Sequence, residues 1–326
     1  MADGKRGPRV LSIDGGGMLG VMTCVYLAEL DRRLSGELRD RFDIIAGTST
    51  GAILAAAIGM GKPVDDVRRL YIERGREIFD TGVIDSIRRT LSEGISKPEY
   101  DDANLGRELR GELSIEGRPV LFGELRPLVL ITAYETIERR ARIFKSDRAD
   151  QRSLPVWELV KGSSSAPTYF AAHGMEIGGE TRSLIDGGVF ANNPAACALA
   201  EALRTNAERG GHAYEGPRGF VVASFGNGRH IEPISLAQAR EWGAAEWVRP
   251  LIGVMMDGDQ DTTSYICRSI VGDERFFRFE TPIERGLARM DDASPRNLER
   301  LIEAAELYIQ RDEAQSALDR LAELLE

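Results

Sequence analysis

Short apolar runs that end in glycine and give way at once to helical patterns constrain this 326-residue chain more than any other feature. Val10 to Ile13 is a predicted strand that stops at Gly15-Gly16-Gly17, and a helix is predicted from about Leu19 to Leu34, with Val21, Val25 and Leu27 among its buried residues. Phe42 to Ala46 is a second strand, leading through Gly47-Thr48-Ser49-Thr50-Gly51 into a small-residue helix, Ala52 to Gly59. Leu128 to Ala133 and Phe220 to Ser224 read as further strands. Between them the turn Asp186-Gly187-Gly188 precedes a helix from Pro194 to Arg209, where proline suits the first helical position. Strands that alternate with helices in this way imply an α/β fold.

The tail from Ser294 to Glu326 is helical by pattern, with Leu298, Leu301, Ile302, Ala305 and Leu307 returning at helical spacing. Thr81 to Tyr100 has neither periodicity and is expected to be a mobile loop or a cap over a site. No repeat, low-complexity tract or linker divides the chain. We expect a single domain over 1–326, with a core at about 8–230 and a helical part at about 235–326.

Composition narrows the function classes. Lys and Arg number 42 against 52 Asp and Glu, a formal net charge of −10, which makes the chain a poor general binder of DNA or RNA backbones. Cys24, Cys197 and Cys267 are far apart and form no CxxC, so neither a disulfide framework nor a thiolate zinc site is expected, and they read as reduced intracellular thiols. The apolar run ahead of the first glycines is too short for a signal peptide, and no stretch approaches the roughly 20 apolar residues of a membrane span. The expected setting is cytoplasmic, with any membrane contact peripheral.

The chemistry concentrates in three turns. In Ile13 to Gly20, the glycines leave backbone amides uncovered at a helix start, a pocket for negative charge. A plain tight turn or a phosphate cradle are the other readings. Leu19-Gly20 stands where a Walker loop needs Lys-Ser/Thr. A dinucleotide fingerprint fits the glycine spacing, but Asp43 begins the second strand where the fingerprint wants an acid at its end. The second turn fits G-x-S-x-G between a strand and a helix, where a strained elbow exposes Ser49 Oγ; a serine there could also simply cap the helix. Its base is either a histidine or a carboxylate. Of His173, His212 and His230, the last is the best triad candidate because it follows both Ser49 and Asp186. Asp186, at a predicted strand end with little side-chain cover, could take the proton directly if burial raised its basicity.

Together, D-G-G-G-x-x-G, G-T-S-T-G and D-G-G, in that order, resemble the patatin-like phospholipases. Ser164 to Phe170 is similar to the family's S-A-A-P-x-x-F block, Asp186 to Pro194 to its D-G-G-x-x-x-N-N-P block, and Ser224 to Gly228 to its S-L-G-T-G strand end. The resemblance implies a three-layer α/β/α fold with a central, mostly parallel sheet and a helical C-terminal extension. It implies that Ser49 is the nucleophile of a Ser–Asp dyad with Asp186, that Gly15, Gly16 and Gly17 form the oxyanion hole, and that Asp14, Gly20, Gly47, Gly51, Gly187 and Gly188 support the motifs. It demotes the histidines and calls for no cofactor or metal.

The family commonly carries a cation where this chain has Leu19, which bears on oxyanion strength or head-group preference. The implied activity is hydrolysis of glycerophospholipid or other lipid esters. Met290 to Asn297 is similar to a block in a bacterial subgroup whose members are switched on by cyclic oligonucleotides in antiphage defence, so such an activator is an expected partner beside the membrane surface. Oligomerisation stays open. The basic run of Arg139, Arg140, Arg142, Lys145, Arg148 and Arg152 is a candidate face for anionic head groups, or else a solvated surface, as is the helical stretch around Arg68, Arg69, Arg74 and Arg76. Rival readings are a nucleotide-binding protein or a catalytically inactive lipid-binding protein, each using the first glycine turn.

Overall fold

The computed structural model describes residues 6–78, 100–208, 217–230, 233–287 and 289–326. The loop or cap expected from Thr81 to Tyr100 lies, except for Tyr100, outside the described residues, as does His212.

The apolar runs form the middle of one sheet. Its strands are β1 (Arg9–Ile13) and β2 (Ile44–Thr48), followed after a two-residue hairpin of β3 (Ser114–Ile115) and β4 (Arg118–Pro119) by β5 (Leu128–Glu135), β6 (Arg140–Lys145), β7 (His173–Ile177), β8 (Glu180–Asp186), β9 (Val221–Phe225) and β10 (Phe276–Phe279). The sheet runs β10-β9-β1-β2-β5-β8-β7, with β6 also paired to β5. From β10 to β5 every pairing is parallel; β5 pairs antiparallel with β6 and β8, and β8 with β7. Strands β1, β2 and β9 are buried along their whole length, as parallel strands covered on both faces must be. One apolar cluster fills the side of the helices Gly20–Asp31 and Thr50–Met60; a second, with Val10, Ala46, Leu199 and Val222, packs under the helix Ala195–Glu208.

The register on β5 decides where the chemistry lands. Strand β2 places Thr48 opposite Thr132, and β8, arriving antiparallel, places Asp186 opposite Ala133. Because β6 pairs along Leu130 to Glu135, β2 and β8 must share the other edge of β5. They approach end to end and stop at consecutive residues of one strand.

The part expected to be helical, about 235–326, also supplies β10 to the central sheet, so the core does not stop near 230; beyond that strand the chain forms two helices, Pro295–Ile309 and Asp312–Leu325. The break falls at Arg311, whose backbone is extended at φ −70°, ψ 140°. Ser294 caps the first helix through Asn297 N–H and proline occupies its first turn. This helix packs on Gly20–Asp31, with Tyr26 and Tyr308 edge to face at 5.7 Å.

The basic run around β6 is answered by its own surface. Arg140 pairs with Glu138, Arg142 with Glu135, Lys145 with the buried Glu201 and Arg148 with Asp150. On Val64–Ile78, Arg68, Arg69 and Arg74 likewise meet Asp65, Asp66 and Glu77. These pairs engage most of the named cations and favour a solvated surface over an anion-binding face for both stretches.

Candidate active site

Ser49 follows the last residue of β2 and precedes the helix Thr50–Met60, its backbone bent to φ 54°, ψ −125°. A positive φ is strained for a residue with a Cβ and persists only where the surroundings impose it. Here they do. A Cβ on Gly47 would lie 2.2 Å from Gly51 O, and one on Gly51 2.3 Å from Ile13 O, so the glycines let β1, β2 and the helix start pack more closely than side chains permit. Ser49 N–H donates to Ser163 Oγ at 2.8 Å, fixing the turn.

Since β2 and β8 end side by side on β5, Ser49 and Asp186 come together although 137 positions apart in the sequence. The Ser49 hydroxyl lies beside the Asp186 carboxylate, and Gly188 N–H donates to Asp186 Oδ1 at 2.7 Å. Burial pushes the Asp186 carboxyl up to about 6, against the pull of the Ser49 hydroxyl and the Gly188 N–H. Both side chains are more than nine-tenths buried and face a cavity of about 240 Å3. Its walls are largely apolar, with Met18, Ile53, Leu70, Phe170 and Met255 among them; Thr50, Tyr71, Ser164, Tyr169 and Asn192 also line it.

The glycine run borders the same cavity through Gly16 and Gly17. Gly15 gives its N–H to Asn192 O at 3.1 Å, whereas the N–H groups of Gly16 and Gly17 have no partner among the described residues. The expected set of three donors therefore narrows to two. Gly17 has φ 59°, and a Cβ there would fall 2.2 Å from Met290 O, the atom that accepts Met18 N–H at 2.8 Å. The Met290 segment thus clamps the loop. Gly20 sits beneath Tyr71, and Gly187 lies against Thr132.

Leu19 is buried in the core and brings no charge. A guanidinium reaches the loop from elsewhere: Arg278 on β10 donates to Asp14 Oδ2 at 2.7 Å, to Ser224 Oγ at 2.8 Å and to Glu280 at 2.8 Å. Burial pushes the Asp14 carboxyl up to about 7 against the pull of Arg278. Sequence reasoning missed Arg278; the available signal was a lone cation inside Phe276-Phe277-Arg278-Phe279, an otherwise aromatic strand.

Neither described histidine lines the cavity. His173 is buried on β7, where burial pushes its imidazole down to about 4, and His230 contacts Ile283 O through Nδ1 at 3.2 Å. Among the described residues no three His, Cys, Asp or Glu side chains gather to hold a metal ion, and no helix is long and apolar enough to cross a membrane.

A glycine-flanked elbow serine beside a buried carboxylate, with a glycine loop over both, is matched at the level of whole sequences. The family model described as patatin-like phospholipase matches residues 11–199. The chain belongs to the patatin-like phospholipase family. Patatin-like protein 1 of Arabidopsis thaliana is 29% identical over 350 residues, spanning 95% of this chain and 83% of that protein. Patatin-like protein 2 of Oryza sativa subsp. indica is 27% identical, over 93% of this chain and 84% of its own length. A cGAMP-activated phospholipase of Escherichia coli (strain TW11681) is 31% identical over 210 residues, 60% of this chain and 56% of that protein. Family membership, with the mostly parallel sheet between helices, supports a lipid acyl hydrolase.

Proposed function

We propose that this chain hydrolyses ester bonds of membrane glycerophospholipids, with Ser49 as nucleophile and Asp186 as its only protein base. The observation that carries the reading is Ser49 beside the buried Asp186 carboxyl at the wall of an apolar cavity. Ser49 attacks the ester carbonyl and its proton passes to Asp186, which hands it to the leaving alcohol as the ester C–O bond breaks; water then releases the acyl group and returns a proton to Ser49. The free N–H groups of Gly16 and Gly17, at the start of the run Gly17–Leu19, stand where a developing oxyanion needs donors. The apolar wall suits an acyl chain and offers a nucleoside base few polar partners, which favours the lipid reading over the nucleotide-binding one. The expected setting is the cytoplasmic side of a membrane, bound peripherally.

The decisive experiment pairs a fluorophosphonate label with a fluorogenic phospholipid. Parent protein takes the label on Ser49 and releases product; Ser49→Ala keeps its fold and does neither. Unchanged lipid hydrolysis in Ser49→Ala would falsify the assignment. The name of the E. coli relative supports a second arm, the same assay with and without a cyclic dinucleotide. We propose such activation in antiphage defence, and full activity without any nucleotide removes it.

A further inference from the structure

We propose that Asn192 and Asp186 together seat the water that frees the acyl group from Ser49, over the bare Cα of Gly188. This rests on Ser49 being the acylated residue.

Asn192 is 1% exposed and borders the cavity, yet its side-chain Oδ1 has no hydrogen-bond partner among the described residues. Its main chain is anchored: the carbonyl accepts Gly15 N–H, and the adjoining Asn193 N–H donates to Asp259 Oδ2 at 2.9 Å. The carboxamide oxygen on that anchored stretch has nothing to accept from. A buried acceptor in that condition is rare in folded proteins and calls for a partner.

The surroundings say which partner. A Cβ built on Gly188 would lie 3.1 Å from Asn192 Oδ1 and 3.1 Å from Asp186 Oδ1, with Met256 Cε the next nearest atom at 3.7 Å. A Cβ built on Gly15 would lie 2.8 Å from Asn192 Oδ1 and 3.0 Å from Ser49 Cβ. The unpartnered oxygen thus stands between the two reacting side chains, and the space over Gly188 is bordered by two acceptors. A molecule with two donor hydrogens and one nucleophilic lone pair fits that arrangement, and water is such a molecule. Gly188 has no positive φ, so its lack of a side chain serves space and not backbone conformation.

The step balances. One hydrogen of the water is held by Asp186 and the other by Asn192 Oδ1, which leaves a lone pair for the acyl carbon. The new C–O bond forms, the bond from the acyl carbon to Ser49 Oγ breaks, and the proton taken by Asp186 passes to Oγ. The second hydrogen departs with the carboxylic acid. Acylation consumes no water, so Asn192 governs one half-reaction and not the other.

The test uses the full chain in excess over p-nitrophenyl butyrate. Phenol release reports acylation, and intact mass after acid quench reports the acyl-enzyme. Asn192→Ala releases phenol at close to the parent rate, while its acyl-enzyme persists about a hundredfold longer, as expected when a reactant loses its alignment. Asn192→Leu, which keeps the volume and removes the acceptor, does the same and covers the case in which Asn192→Ala folds poorly. The proposal is overturned if the folded variants clear the adduct at the parent rate, or if phenol release slows as much as clearance. A parent protein that forms no adduct and takes no fluorophosphonate label overturns the Ser49 assignment itself, and is recognised separately by that double absence.

Discussion

A carboxyl that must take a proton from a hydroxyl works better as its pKa climbs toward the working pH. Asp186 has climbed to about 6 through burial. Hydrolysis of a soluble ester should therefore level off above about pH 6 and fall about tenfold per pH unit below it, in initial rates taken from about pH 4 to pH 8. The same shift acts against the fold. The folded pKa lies above the ordinary 3.8, so this group's contribution to stability is full below 3.8 and is lost as pH rises through about 6. Asp186→Asn should be inactive yet more stable than its parent at about pH 8, by on the order of 3 kcal/mol. Calorimetry should show that advantage fading toward about pH 4; a variant less stable than its parent at every pH contradicts the reading.

Among elements, the elbow and β5 do most to place the chemistry. Gly51→Ala sets a methyl against Ile13 O and Asp14 O, both backbone atoms that cannot swing aside. It should cost about 1–3 kcal/mol in chemical denaturation and sharply reduce fluorophosphonate labelling, because the serine is re-aimed. Four of the five parallel strands, β1, β2, β5 and β9, were legible as apolar runs, while β10, with Arg278 in its middle, was not. The antiparallel half was harder to see. β6 reads Arg-Ala-Arg-Ile-Phe-Lys and passed for a basic surface run, since its charges are answered by Glu135 and Glu201 from other elements. Ser49 and Asp186 were visible for local reasons, each flanked by glycine. Arg278 was not, because it is defined by Asp14, a partner from a distant stretch, and leaves no local pattern. Gly15 failed as a donor for the same reason: what occupies its N–H is Asn192, far along the chain.

For the whole molecule, charge and exposure together predict which membrane suits it. The net charge is −10, and the conspicuous cationic stretches are paired with carboxylates of the same surface. On the helix Ala244–Val271, Leu251, Val254 and Met255 stand 46%, 45% and 50% exposed, and Met255 also borders the cavity. Contact with a bilayer should thus be apolar in origin. Co-sedimentation and hydrolysis are expected to be no greater on vesicles with added phosphatidylglycerol than on pure phosphatidylcholine, and nearly indifferent to salt. Strong enhancement by the anionic lipid points instead to a cationic face.

The ion pair between Asp14 and Arg278 carries a lesson for anyone cutting this protein down. The carboxylate belongs to the stretch 11–199 that matches the family, while its counter-charge is delivered by the final strand, well past that boundary. A minimal fragment trimmed to the matching stretch would leave Asp14 as a naked anion in the interior, and it would have to take up a proton or drag water in beside the glycine loop. The smallest portable version of the catalytic core therefore has to carry its last strand with it.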